Sequence, residues 1–447
     1  MRTHIRRAAL AAASGMLAMT LIPQPGSSQQ KVPFDSRYNI PVAPQGLAGR
    51  KLPNLPIEFD TAEGQRIRVV AVSRALEYPW SAAFLPDGAM LVTERAGRLR
   101  ILRNGVLDPK PISGGPASYW AVESGLPGAV HGYMDVALHP QFAQNHLLYL
   151  SYTKPLDANK RVTAVARGRL DGNELKDVRD IFVADQQATS RIAFGRDGTL
   201  FMTTSGNDPQ DPNTLGGKVL RFRDDGSIPP DNPFTGQAGH RPEVYSLGHR
   251  SALGLAMHPG TGEMWENENG PNGGDEINIL KPGRNYGWPI VSYGRTYQGP
   301  WQSAPPGHMG FEPPVVIWVP AIAVSGMTFY TGNKFPKWKG DVFVGSLRTG
   351  EIPGTGHLER ILFNEKMEEL RRESLLTELL QTGAEHHFRV RCGLPPDAHV
   401  LLVTTDRERK ELEIEFTSSR FDSIQDFVSA PLLLIRLEEV EPAVTRR

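Results

Sequence analysis

AFLPDGAMLVT, residues 83–93, reads as a β-hairpin: an apolar run, a Pro-Asp-Gly turn, then a second apolar run. The same plan returns at Val136–Ser151 (VALHPQFAQNHLLYLS), Ile192–Thr204 (IAFGRDGTLFMTT) and Leu255–Trp265 (LAMHPGTGEMW). Met327–Gly345 (MTFYTGNKFPKWKGDVFVG) is a longer copy and Leu394–Thr404 (LPPDAHVLLVT) a degraded one. The copies stand about 55 to 75 residues apart, a length that suits a four-stranded unit with long loops. One hairpin cannot bury both of its faces, whereas such units packed in a ring can. The repeats therefore predict an all-β fold, a six-bladed β-propeller of four-stranded antiparallel blades. A β-sandwich with coincidental turns is the competing arrangement. Helical periodicity stands out only around Asn364–Gln381, rich in Glu, Leu and Arg, and in part of the tail.

Composition agrees with a turn-rich globular chain. Of 447 residues, 39% are hydrophobic and 22% charged, enough apolar surface for a packed core. Gly (45) and Pro (37) together approach a fifth of the chain, which favours turns over long helices. Lys+Arg and Asp+Glu are both 49, so there is no global pull toward nucleic acid or an anionic membrane. Cys392 is the sole cysteine, which rules out an intrachain disulfide.

Three segments follow. Residues 1–28 read as a signal peptide: Arg2, Arg6 and Arg7 precede an apolar run, Ala8–Ile22, and then small residues Gly26, Ser27 and Ser28. The run is short for a membrane span, although an uncleaved anchor is the alternative. A periplasmic or secreted protein with no membrane span in the mature chain is expected. Residues 29–65 form an N-terminal linker and first strand. Residues 66–447 form the propeller, with 383–447 as a divergent last blade or tail.

The chemistry concentrates in Glu266–Pro289, ENENGPNGGDEINILKPGRNYGWP. Glycines and a proline make an irregular loop, and Asp275 and Glu276 follow directly. Exposed carbonyls beside carboxylates are hard oxygen donors that suit Ca²⁺, though an ordinary acidic turn has the same composition. GPNGGDEIN followed by NYGWP resembles the soluble pyrroloquinoline quinone (PQQ) dependent glucose and aldose sugar dehydrogenases. Other stretches carry the same resemblance: residues 79–100 (PWSAAFLPDGAMLVTERAGRLR), 134–153 (MDVALHPQFAQNHLLYLSYT), 216–234 (GGKVLRFRDDGSIPPDNPF), 246–259 (SLGHRSALGLAMHP) and 320–330 (PAIAVSGMTFY). They span roughly residues 66–380 in the family's order.

The resemblance implies a six-bladed propeller that holds PQQ and Ca²⁺ at its mouth and oxidises a sugar or related alcohol. It assigns Gly270 and Pro271 to the cofactor calcium, and Glu276 and Tyr286 to a second, structural calcium. Arg250 falls on a cofactor-binding arginine, and Ser251 on the asparagine beside it. Arg348 stands where the family has a cofactor-binding lysine. Arg389 and Arg391, spaced by two, stand for a pair the family spaces by three. The general base is a histidine in the family and Gln187 here, and an amide cannot take a proton near neutral pH. His131 is the leading substitute, with Asp135 as an orienting group if geometry allows. His357, expected on a loop over the mouth, is next, and His249 third. Asp208 is expected to position substrate. The implied partners are a small-molecule sugar or alcohol and an unspecified electron acceptor; a monomer or homodimer both fit. Two further readings use the same scaffold: a calcium-dependent, lactonase-like hydrolase and a binding propeller that has lost its base.

Overall fold

The computed structural model describes residues 55–121, 130–295, 310–349, 352–353 and 356–377, together with strand segments Phe34–Asp35, Ile40–Pro41, Arg389–Val390, Leu401–Thr405 and Pro431–Glu439. The hairpins read from the sequence form pairs of strands. Pro79–Phe84 pairs with Met90–Glu94, and Ile192–Phe194 with Leu200–Thr204, both antiparallel. Their turns are chemically alike. Leu85 N donates to Ala89 O (2.8 Å) and Gly195 N to Thr199 O (2.8 Å). Asp87 and Asp197 each accept the backbone N–H two residues on, at 3.0 Å. Gly88 and Gly198 follow at φ of 85° and 79°, a conformation that favours glycine.

These hairpins belong to an all-β propeller of four-stranded antiparallel blades. Four-stranded sheets span residues 79–107, 133–183, 192–247, 252–318 and 324–375. A five-stranded sheet joins Arg389–Val390, Leu401–Thr405 and Pro431–Glu439 to Arg66–Glu77 and Ile57–Asp60, so it draws on both ends of the chain. The first strand of each sheet lies against the first strand of the next, from Pro79–Phe84 through Tyr133–Leu138, Ile192–Phe194, Ala252–Met257 and Val324–Phe329 to Arg389–Val390.

The core sits between sheets. Leu91, Leu99 and Ile101 pack with Val136, Leu148 and Leu150 of the following sheet. Trp265, Ile277 and Val316 pack in the same way with Val324, Met327 and Val342. Each sheet thus buries both faces against neighbours, which accounts for strands that are buried along their whole length, such as Met90–Glu94 and Leu200–Thr204.

The helix expected over Asn364–Gln381 is replaced, over its described residues, by a turn and a strand. Asn364 N donates to Glu368 O (3.0 Å), and Glu369–Leu375 pairs antiparallel with Leu358–Phe363. This is the outermost strand of its sheet. Leu370 is exposed while Glu373 turns in to the buried Arg360 (3.0 Å), so no apolar alternation marks the segment as a strand, and pairing overrides the helix propensity of Glu, Leu and Arg. Among the described residues no helix is long and apolar enough to cross a membrane. The leader at residues 1–28 and the hairpin residues 394–400 lie outside the described residues.

Candidate active site

Two groups of predicted residues come together at loops flanking the first strands of the sheets. The first is the turn between Met264–Glu268 and Asp275–Ile279. Gly270 has no room for a side chain: a Cβ there would lie 2.2 Å from Gly273 O and 2.3 Å from Gly274 O. The turn is pinned by Asp275, which accepts Gly270 N on Oδ1 (2.9 Å), and Ile322 N (2.9 Å) and Val324 N (3.3 Å) on Oδ2. Arg250 reaches this turn from the loop before Ala252–Met257. Its NH1 donates to Asn269 O (3.0 Å) and Gly270 O (2.8 Å), and its guanidinium carbon lies 5.2 Å from the Trp288 ring centroid. Pro271, half-buried, continues the turn. Ser251 O accepts Asn269 N (3.1 Å), which ties the Arg250 segment to the same turn.

Arg348 follows the strand Val342–Ser346 after Leu347 and pairs in backbone register with Pro353. Leu347 N donates to Ile322 O and Ala323 O, both at 3.1 Å. A path of hydrogen bonds therefore runs from Gly270 through Asp275 and Ile322 to the backbone beside Arg348. Arg389 begins a strand, and Arg391 lies outside the described residues.

The second group is His131 with Gln187, 56 residues apart. Gln187 Nε2 donates to Val130 O (3.3 Å) and lies 2.9 Å from His131 Nδ1. A carbonyl can only accept, so the amide turns its nitrogen to this side. His131 Nδ1 must then accept the second N–H, and the imidazole carries its proton on Nε2. The ring is 3% exposed, and the Tyr119 ring meets it edge-on at 5.2 Å. Arg95 Nε donates to His131 O (3.0 Å). Gly132, at φ 92°, is required next, because a Cβ would fall 1.7 Å from Arg95 O.

Asp135, the orienting group expected for His131, is engaged across a sheet boundary. Its carboxylate accepts Ser81 Oγ, Val136 N (3.1 Å) and Ile192 N (2.8 Å), and Arg191 NH1 stands 3.7 Å away. It joins neighbouring sheets. His357 is 2% exposed at the start of Leu358–Phe363: Nδ1 lies 3.0 Å from Ser346 Oγ and Nε2 bonds Glu359. Asp208 is exposed at φ 56°, and its carbonyl accepts Lys218 Nζ (3.0 Å).

Lys218 was not anticipated. Its ammonium is buried and donates also to Gly216 O (2.6 Å), and burial lowers its pKa to about 8. The preceding glycines are close-packed: Gly217 O accepts His249 N (3.1 Å), and a Cβ at Gly216 would lie 2.8 Å from the Gln186 side-chain nitrogen.

A second unanticipated cluster lies under the turn. His249 is fully buried and stacked on Tyr286 at 4.6 Å, with Nε2 2.8 Å from Ser246 Oγ. Its Nδ1 faces Glu266 Oε1 (3.3 Å) and Glu268 Oε2 (3.9 Å). Burial holds His249 down at about 4 and pushes Glu266 and Glu268 up to about 8. Glu276, the cross-strand partner of Glu268, is raised as well by burial and by those two acids. The Tyr286 hydroxyl donates to Ile279 O (2.6 Å) and accepts Lys281 N (2.9 Å). The signal was present in the sequence: Glu266 and Glu268, two apart in a strand, share one face.

The family model described as glucose/sorbosone dehydrogenase matches residues 76–414. The aldose sugar dehydrogenase YliI of Escherichia coli is 39% identical over 301 residues, which cover 64% of this chain and 79% of that one. The crystal structure of the soluble aldose sugar dehydrogenase from E. coli in the apo-form aligns at a TM-score of 0.68 and 32% identity, covering 84% of this chain and 100% of that one. The PQQ-bound form of the aldose sugar dehydrogenase from Streptomyces coelicolor aligns at 0.58 and 26%, covering 83% and 98%.

Proposed function

The chain belongs to the glucose/sorbosone dehydrogenase family, and from that premise we propose that it is a PQQ- and calcium-dependent dehydrogenase that oxidises an aldose or related alcohol. The observation that carries this reading is the approach of Arg250 to the Gly270 carbonyl at 2.8 Å, in a turn whose tightness only glycine allows.

The residues fit the implied groups. Carbonyls of Gly270 and Pro271 are hard donors suited to Ca²⁺. Arg250, with Arg348 and the arginines at 389 and 391, supplies cations for a tricarboxylate, and Ser251 stands beside them. Glu276 and Tyr286 are the proposed holders of a second calcium. When bound, the quinone supplies a hydride acceptor polarised by the metal. The remaining work falls on the chain. Gln187 Oε1 receives no hydrogen bond among the described residues and is the proposed acceptor that orients a sugar hydroxyl, with Asp208 at the pocket edge. His131 is the proposed proton acceptor; to act at Nδ1 it must give up the Gln187 bond. His357, held by Ser346 and Glu359, is the reserve candidate.

A second reading rests on that same pair. With the His131 Nδ1 lone pair taken, the propeller binds cofactor and sugar without appreciable turnover. We also count the five-stranded sheet as a sixth blade, and propose that residues 1–28 direct export to the periplasm or beyond.

The test is to add PQQ and Ca²⁺ to purified apo-protein and record quinone absorption together with dye reduction by a panel of aldoses. Spectral binding with turnover is expected. Absence of binding overturns the dehydrogenase reading, and binding without turnover selects the second.

A further inference from the structure

The His249 cluster takes no part in the proposed reaction. Two of its atoms are nonetheless poised for a ligand. His249 Nδ1 and Glu266 Oε2 are buried and make no hydrogen bond among the described residues. Buried polar atoms in native proteins are nearly always satisfied, so two in one cluster, on residues whose Nδ1 and Oε1 stand 3.3 Å apart, call for an explanation.

Their surroundings orient them inward. Ser246 Oγ engages His249 Nε2 at 2.8 Å, which leaves Nδ1 as the nitrogen turned toward the acids, and Tyr286 fixes the plane of the ring. Asn278 Nδ2 donates to Glu266 Oε1 (2.8 Å), and Arg250 N donates to Glu268 Oε2 (2.6 Å). Each of the three side chains is therefore also held by a group outside the cluster, as metal ligands commonly are.

We propose that His249 Nδ1, Glu266 and Glu268 bind one divalent transition-metal ion of the zinc class. The three ligand atoms lie within 4.8 Å of one another, and Nδ1 stands 3.3 and 3.9 Å from the two carboxylates. Ligands held at about 2.0–2.2 Å from a single ion span such separations after a small inward shift. An imidazole with two carboxylates suits Zn²⁺ and its neighbours, whereas Ca²⁺ takes oxygen donors only. The site is distinct from the Gly270–Pro271 turn, which offers carbonyls. Glu268 links the two, since its carboxylate holds the backbone of Arg250. The ion would thus fix the segment that presents Arg250.

The test uses untagged full-length protein, stripped with a chelator, reloaded with Zn²⁺ and counted by elemental analysis after dialysis. Co²⁺ gives a visible absorption readout of the same site. One ion per chain is expected, not displaced by excess Ca²⁺. Glu266→Gln, which keeps the shape of the acid and should keep the circular dichroism of the fold, is expected to weaken Zn²⁺ by about 100-fold or more, beyond the 10–100-fold that loss of an outer partner costs. His249→Gln should abolish the Co²⁺ band. No stoichiometric ion, or unchanged affinity in Glu266→Gln, overturns the site; displacement by equimolar Ca²⁺ overturns the choice of metal. Should His249→Gln not fold, Glu266→Gln and the Co²⁺ spectrum decide. None of these readouts depends on PQQ turnover, so this site and the proposed reaction stand or fall separately.

Discussion

The Arg250–Gly270 corner and the His131–Gln187 corner are made of different material. The first is mainly backbone: carbonyls of Asn269 and Gly270, the N–H of Gly270, a turn that excludes any Cβ, and one arginine laid on it. The second is a meeting of two side chains 56 residues apart. A backbone site survives many substitutions around it but fails if its glycine is filled. A side-chain site changes its chemistry with one residue. That contrast separates the proposed cofactor corner, resistant to substitution around it, from the proposed proton-transfer corner, sensitive to a single residue.

Filling the glycine should have the largest effect. Gly270→Ala puts a methyl group 2.2 Å from Gly273 O, and the turn must open. A misplacement of about 1 Å can cost 10²-fold, so calcium-dependent PQQ affinity is expected to fall by at least about that factor in a titration of quinone absorption. Normal affinity in this variant would erase the distinction between the corners.

Gln187→His should act on the other corner alone. It places an imidazole where the amide now donates to His131, and turnover in dye reduction is expected to rise by about 10²-fold, within the range of general-base catalysis, with PQQ affinity little changed. Unchanged turnover would mean that proton transfer is not what this corner limits.

The smallest effect is expected at Lys218, which bonds the Asp208 and Gly216 carbonyls outside the two corners. Its folded pKa of about 8 lies below the ordinary lysine value of 10.5, so between those pH values the unfolded chain holds more protons. Stability should therefore rise with pH across that window, by on the order of 2 kcal/mol relative to Lys218→Met, in denaturant titrations at pH 8 and 10.5. Equal slopes in the two proteins would show that the Lys218 ammonium does not pay this burial cost.

The same contrast governs what could be read in advance. The hairpins at residues 83–93 and 192–204 were legible because Asp-Gly turns and apolar runs are local signals. Gly270 was legible as part of a motif. The strand Glu369–Leu375 was not, because an exposed outer strand carries the composition of a helix and only its partner at Leu358–Phe363 decides. The contact of His131 with Gln187 was not legible either: it depends on how two sheets pack. Asp135 shows the same limit, since its carboxylate is committed to Ser81 and to the backbone of Ile192 across a sheet boundary. Glu266 and Glu268 were within reach, through their spacing of two in a strand.

The five-stranded sheet sets an order of assembly. Arg66–Glu77 is made well before its partner Pro431–Glu439, which lies far along the sequence. Until then Arg66–Glu77 has Ile57–Asp60 on one side and an open edge on the other. Such an edge invites pairing with other chains, and contacts between distant parts of a sequence form slowly. Loss of Pro431–Glu439, by truncation or proteolysis, would leave that edge permanently open, so the yield of native protein should depend on the integrity of this strand.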